Sequence, residues 1–193
     1  MISEFITRGI VAGNANAEEA ADSKQQFLRL HLPPDTTAML PLSQIVEVLT
    51  VPTAQIVPIP HLPAWVMGVY NWRGEILWIV DLGHKIGQAP LYQQGTSRSS
   101  YTAVVIHSTQ ETAEKQQSDR KAGKKVLGLL VNQVEDMEWC NPDNIQSPPA
   151  SAVTPELVPY LRGYFLKPNG EILVVLDGDS IIAGMPQPKT EAS

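Results

Sequence analysis

The sequence predicts a mainly β protein, antiparallel and barrel-like, built as two lobes around a shared aliphatic core. Three observations predict it. First, Gly74-Glu75-Ile76-Leu77-Trp78-Ile79-Val80-Asp81 recurs as Gly170-Glu171-Ile172-Leu173-Val174-Val175-Leu176-Asp177, an offset of 96 (170 minus 74), so one supersecondary unit is used twice. A looser echo sets Val46-Glu47-Val48 against Val134-Glu135-Asp136. Second, the apolar runs are short and rich in Ile, Leu and Val, the length and composition of strands. Third, no strand alternates with a long helical pattern, which excludes a nucleotide-binding α/β architecture.

The elements are taken in chain order. Residues 1–24 read as a tail, because Asn14 to Lys24 holds no large apolar residue to offset its ordering entropy. Phe27 to Leu32 alternates as a half-buried strand, Pro33 to Thr37 is a turn, and Ala38 to Leu42 returns as its partner. Ser43 is the expected N-cap of the next segment. That segment, Ile45 to Leu49, is either a short helix or extended on periodicity alone. Pro52, Pro58, Pro60 and Pro63 keep Thr53 to Leu62 extended and irregular. Ala64 to Met67 is expected as one helical turn, before strands over Gly68 to Asn71 and Glu75 to Val80. Gly74 supplies the positive φ of the tight connection between them. Asp81 caps a helix to Ile86, which Gly87 and Pro90 end.

Residues 88–100 read as a polar linker and Tyr101 to Ile106 as a strand. Gln110 to Lys125 is a charged loop, whose cluster of Arg120, Lys121, Lys124 and Lys125 is read as solvated. Val126 to Val131 and Val134 to Trp139 are expected to form one long or bent strand. Asn141 to Thr154 is a loop, the second repeat copy closes the fold, and 185–193 is a tail.

Net charge of −6 opposes a nucleic-acid or anionic-membrane surface. The single cysteine, Cys140, allows no internal disulfide and points to a reducing, cytoplasmic setting. A secretory leader is not expected, because Glu4 and Arg8 interrupt the first residues, and no window approaches the roughly 18 uninterrupted apolar residues of a membrane span.

Catalytic motifs are missing: no nucleophile elbow, phosphate loop, dinucleotide turn or His-Glu-x-x-His. Asp177-Gly178-Asp179 opens like a calcium loop, but Ile181 stands where a third oxygen ligand belongs. His31, His61, His84 and His107 show no helical pair spacing. No cofactor and no metal is expected. A small β-barrel hydrolase, with Ser, His and Asp assembled only in space, is the alternative, and an esterase and amidase screen discriminates it. An oligonucleotide-binding barrel is opposed by the charge and by an aromatic content of 6%. Surface chemistry concentrates instead at Arg73, on a tight hairpin with Trp65 and Trp72 nearby in sequence and Glu47 as a charged second anchor.

Leu62-Pro63 followed by Val66-Met67-Gly68-Val69-Tyr70-Asn71-Trp72-Arg73-Gly74-Glu75-Ile76-Leu77-Trp78-Ile79-Val80-Asp81-Leu82 resembles the signature of CheW-like domains. Gly128-Leu129-Leu130-Val131-Asn132-Gln133-Val134 is similar to the family's second signature, with Asn132 for the usual Asp. Tyr160 to Gly163 and Leu173 to Asp177 also fit. The resemblance spans Gln25 to Gly184. It implies two five-stranded SH3-like β-barrel lobes around a hydrophobic core, here over 25–95 and 96–184. It also implies an adaptor role, coupling a methyl-accepting chemoreceptor or photoreceptor signalling tip to the regulatory domain of a CheA-type histidine kinase, with no nucleic acid and no direct membrane insertion. By the same resemblance Glu47, Asn71, Arg73 and Gly74 are receptor-binding positions, and Val131 and Val134 lie on the kinase-docking surface. Trp72 and Trp78 depart from the family's usual Leu and Pro. The Leu32-Pro33-Pro34 turn and the acidic charge resemble CheW-like proteins of cyanobacterial pilus-driven phototaxis.

Overall fold

A computed structural model describes residues 24–94, 98–110, 125–147 and 153–186. The expected N-terminal tail, most of the charged loop after Gln110 and the last residues of the chain lie outside these. Among the described residues ten strands form two five-stranded sheets: β1 (Gln25–Leu32), β2 (Thr36–Pro41), β3 (Ile45–Pro52), β4 (Val66–Trp72), β5 (Glu75–Asp81), β6 (Ser100–His107), β7 (Val126–Val131), β8 (Gln133–Cys140), β9 (Leu161–Leu166) and β10 (Ile172–Leu176). Helix α1 (Leu82–Lys85) succeeds β5 and α2 (Gly178–Ala183) succeeds β10.

The sheet orders are β8-β1-β2-β10-β9 and β3-β6-β7-β5-β4. Position by position they match: β8 with β3, β10 with β5, β9 with β4. The looser echo of Val46-Glu47-Val48 in Val134-Glu135-Asp136 is therefore a pair of equivalent edge strands. Most neighbours are antiparallel as expected, but each sheet contains one parallel pair, β2 with β10 and β5 with β7.

The lobes do not divide the chain at residues 95 and 96, and this corrects the split expected from the sequence halves. The central lobe is continuous, β3 to β7. The terminal lobe is assembled from β1 and β2 together with β8, β9 and β10. The chain crosses from one lobe to the other at Leu42–Gln44 and again at Asn132. For that reason Val126–Val131 and Gln133–Cys140 are two strands of different sheets, not one bent strand.

Alternation explains the packing. The inner strands β6 and β10 send one row of side chains into their own lobe and the other row between the lobes. On β6, Ala103 and Val105 face the central lobe's interior while Val104 and Ile106 join the shared core. On β10, Leu173 and Val175 fill the terminal lobe beside Phe27, Met39 and Cys140, whereas Val174 and Leu176 face the shared core.

Local expectations fare unevenly. Ile45–Leu49 is strand, its side chains alternating half-buried and exposed. Ser43 caps nothing: Pro41 holds the N-cap position of the 3-10 turn Leu42–Gln44, and no side chain accepts there. Instead of a helical turn at Ala64–Met67, a tight turn closes with Val66 N donating to Pro63 O at 2.9 Å, and β4 begins. Asp81 does cap α1: one oxygen accepts from His84 N at 3.0 Å and the other from Leu91 N at 2.7 Å. Burial raises the Asp81 pKa, and these backbone donors oppose the rise. Asp81→Ala is expected to cost about 1–3 kcal/mol, because two N–H groups lose their acceptor. A lowered urea midpoint at unchanged slope would register it.

Candidate functional site

The site grows from the β4–β5 hairpin. Trp72 pairs with Glu75 across it, leaving Arg73 and Gly74 as a two-residue loop. Both have positive φ, 55° and 84°, the signature of the primed turn whose twist suits a hairpin. Asn71 Oδ1 accepts from Gly74 N at 3.0 Å and braces the turn. Glycine takes such a φ without strain, whereas an arginine there costs on the order of 1 kcal/mol.

Glu47 reaches this turn from β3, the opposite edge of the same sheet. One carboxylate oxygen accepts from the Trp72 indole N–H and the other pairs with the Arg73 guanidinium. The guanidinium carbon lies 5.1 Å from the Trp72 ring centroid, a cation–π distance. Bringing β3 and the β4–β5 turn together curls the sheet on itself. The terminal lobe does the same with different residues. Glu138 on β8 accepts from Lys167, just beyond β9, at 2.7 Å, and Arg29 pairs with Glu135 at 3.0 Å and Glu171 at 2.6 Å. The hydrogen bond to Glu138 holds the Lys167 pKa up.

The structure thus brings Glu47, Asn71, Arg73 and Gly74 into one place. The Arg73 side chain remains 66% exposed while it touches Glu47 and the Trp72 ring. Trp65 is not part of this cluster; it packs, half-buried, on the shared core. Val131 is 1% exposed and belongs to that core, which corrects its reading as a docking contact. It faces inward because β7 sends alternate residues between the lobes. Val134 is half-buried against the same core.

A second surface was not foreseen. Ile76 and Trp78 point out from β5, and with Ile59, Leu62, Ile182 and Met185 they line an apolar groove of about 580 Å³ to which both lobes contribute. Ile76 is 72% exposed, unusual for such a side chain in a strand. Its only sequence signal was an uninterrupted apolar run, which does not say that one face stays uncovered.

Among the described residues no group of three or more His, Cys, Asp or Glu gathers to hold a metal. The calcium-like Asp177 and Asp179 are committed otherwise. Asp177 caps α2 through Asp179 N and Ser180 N. Asp179 accepts from Ser108 Oγ at 2.7 Å and Thr109 N at 2.8 Å. Burial opposes ionisation of Asp179, but the Thr109 and Ser108 hydrogen bonds outweigh it and lower its pKa. His107 Nδ1 meets a backbone carbonyl, and among the described residues no histidine ring bonds a serine hydroxyl, as a hydrolytic triad needs. No described helix is long and apolar enough to cross a membrane.

Two similar lobes on one core, with a polar turn and an apolar groove displayed, define a binding module. The chain belongs to the CheW-like domain family, whose model matches residues 26–184. It is 30% identical over 124 residues to the chemotaxis protein CheW of Rhizobium meliloti, covering 64% of this chain and 67% of that protein. It is also 30% identical to CheW of Klebsiella aerogenes, over 63% of this chain and 61% of that protein. Against the probable chemotaxis protein CheW of Rhizobium etli it is 31% identical over 47% of this chain, but the match spans only about half of that relative, 46%. The crystal structure of the scaffolding protein TtCheW from Thermoanaerobacter tengcongensis superposes with a TM-score of 0.58 at 17% identity, covering 79% of this chain and 88% of that one. That likeness concerns the fold.

Proposed function

We propose that the protein is a non-enzymatic, cytoplasmic adaptor that couples a chemoreceptor signalling tip to a CheA-type histidine kinase. The observation that carries this reading is membership of the CheW-like family together with two separate displayed surfaces on one shared core. The Glu47–Trp72–Arg73 turn is assigned to the receptor, whose carboxylates the open guanidinium recognises. The Ile76–Trp78 groove is assigned to an apolar edge of the kinase's regulatory domain, in place of Val131. Holding both partners at once raises the effective concentration of each for the other.

Paired pull-downs test the reading. Arg73→Glu should lose the receptor fragment and keep the kinase domain, with thermal stability near wild type, since exposed ion pairs contribute little. Trp78→Asp should do the reverse, weakening kinase capture by roughly tenfold or more. Equal capture of both partners by both variants would refute it, and failure of Arg73→Glu to fold would make that arginine structural.

A further inference from the structure

Lys85, on α1, is a buried lysine, 4% exposed. Its ammonium lies 3.6 Å from the centroid of the Trp65 ring and 4.6 Å from that of Tyr160, and it donates to Gly184 O at 3.0 Å. The two aromatics are structural counterparts. Asp81 N donates to Trp65 O, and Asp177 N donates to Tyr160 O, each at 2.9 Å, so each ring precedes the hairpin of its own repeat. One ring comes from each lobe, and a single lysine sits between them. The same position in the other repeat, 96 residues on (85 plus 96), is Ile181, so a charge at the clamp breaks the symmetry of the repeat.

Tyr160 rests directly on Gly184: a methyl group added there would come within 2.8 Å of the ring. Immediately beyond Gly184, Met185 and Pro186 form one wall of the apolar groove. We propose that Lys85 is the positioning residue of that groove, its ammonium clamping Tyr160 and Gly184 of the terminal lobe against Trp65 of the central lobe and so holding the Met185–Pro186 wall in place. The clamp itself stands on the geometry; its effect on partner capture rests on assigning the groove to the kinase.

Such a clamp is sensitive to protonation. Desolvation by burial lowers the Lys85 pKa to about 8. The titratable groups around it are His84 on α1 itself, Asp81 at its cap, Glu156, whose side chain lies against Gly87, and Tyr160. Among the described residues none forms an ion pair with Lys85. Because the folded pKa lies below the ordinary lysine value of 10.5, the unfolded chain holds more protons between about pH 8 and 10.5. Stability from this group therefore rises with pH through that window. The charge is costly to the fold and specific in its contacts, which is the behaviour of a positioning group rather than a stabilising one.

The test is methyl NMR of the full chain with labelled methionines, read at Met185 from pH 7 to 9.5. In the wild type the Met185 methyl should move with a midpoint near pH 8, and in Lys85→Met it should be flat and lie near the alkaline wild-type position. Lys85→Met should also melt no lower than wild type at pH 7 and capture the kinase domain at least fivefold more weakly. A Met185 signal that does not titrate, or that drifts identically in Lys85→Met, overturns the proposal. If the variant does not fold, the wild-type titration decides alone. Should Trp78→Asp leave kinase capture intact, the groove assignment fails, while the Met185 titration still judges the clamp.

Discussion

Arg73→Asn should leave the protein folded at least as tightly as wild type while weakening its hold on the proposed chemoreceptor partner. Asn-Gly is the dipeptide that a two-residue primed turn favours, and Asn accepts positive φ more readily than Arg. Relief of the left-handed arginine is expected to stabilise by up to about 1 kcal/mol, offset in part by loss of the exposed pair with Glu47. Receptor affinity should fall by roughly tenfold or more, because the fork of donors disappears. Thermal melting and receptor titration on the same sample check both. The charge-exchanged pair Glu47→Arg with Arg73→Glu separates two roles. It rebuilds the internal ion pair but presents the wrong charge, so binding should stay lost. Recovered binding would assign the arginine to bracing the turn.

Leu129→Ala should destabilise by about 2–5 kcal/mol, the cost of a cavity in a fully buried site. Leu129 lies in the core that residues of both lobes share, so both lobes should melt together and earlier. Tryptophan signals from Trp72 in the central lobe and Trp139 in the terminal lobe, isolated by single-Trp variants, should give coincident transitions. Two separated transitions would show that the lobes are independent folding units.

The repeat was the most legible part of the chain. Its two copies, with Asp81 and Asp177 as caps, became β5–α1 and β10–α2, because strand, turn and cap signals are local and act over a few residues. The Arg73 turn was visible for the same reason, and so was the proximity of Glu47 once the family resemblance was drawn. Ile45–Leu49 stayed ambiguous because its exposed positions, Val46 and Val48, are apolar like the half-buried Ile45 and Leu49 and so blur the alternation. Asn132 gave no hint that the chain changes sheets there, since two polar residues, Asn132 and Gln133, between two strand-like segments fit a bend equally well. Val131 was misplaced because a signature motif marks position in the chain, not the direction of a side chain. Lys85 was passed over because a lone lysine near a helix end is ordinarily solvated.

By itself the sequence determined the β class, the twofold repeat, the capped turns and the arginine at the hairpin tip. Only the tertiary structure decided that the N-terminal hairpin completes the lobe of the C-terminal strands, that β5 keeps Ile76 and Trp78 uncovered, and that two distant aromatics enclose one amine. The physical reason is that alternation fixes which residues share a face of a strand, whereas what covers that face depends on neighbours brought in from about a hundred residues away or more.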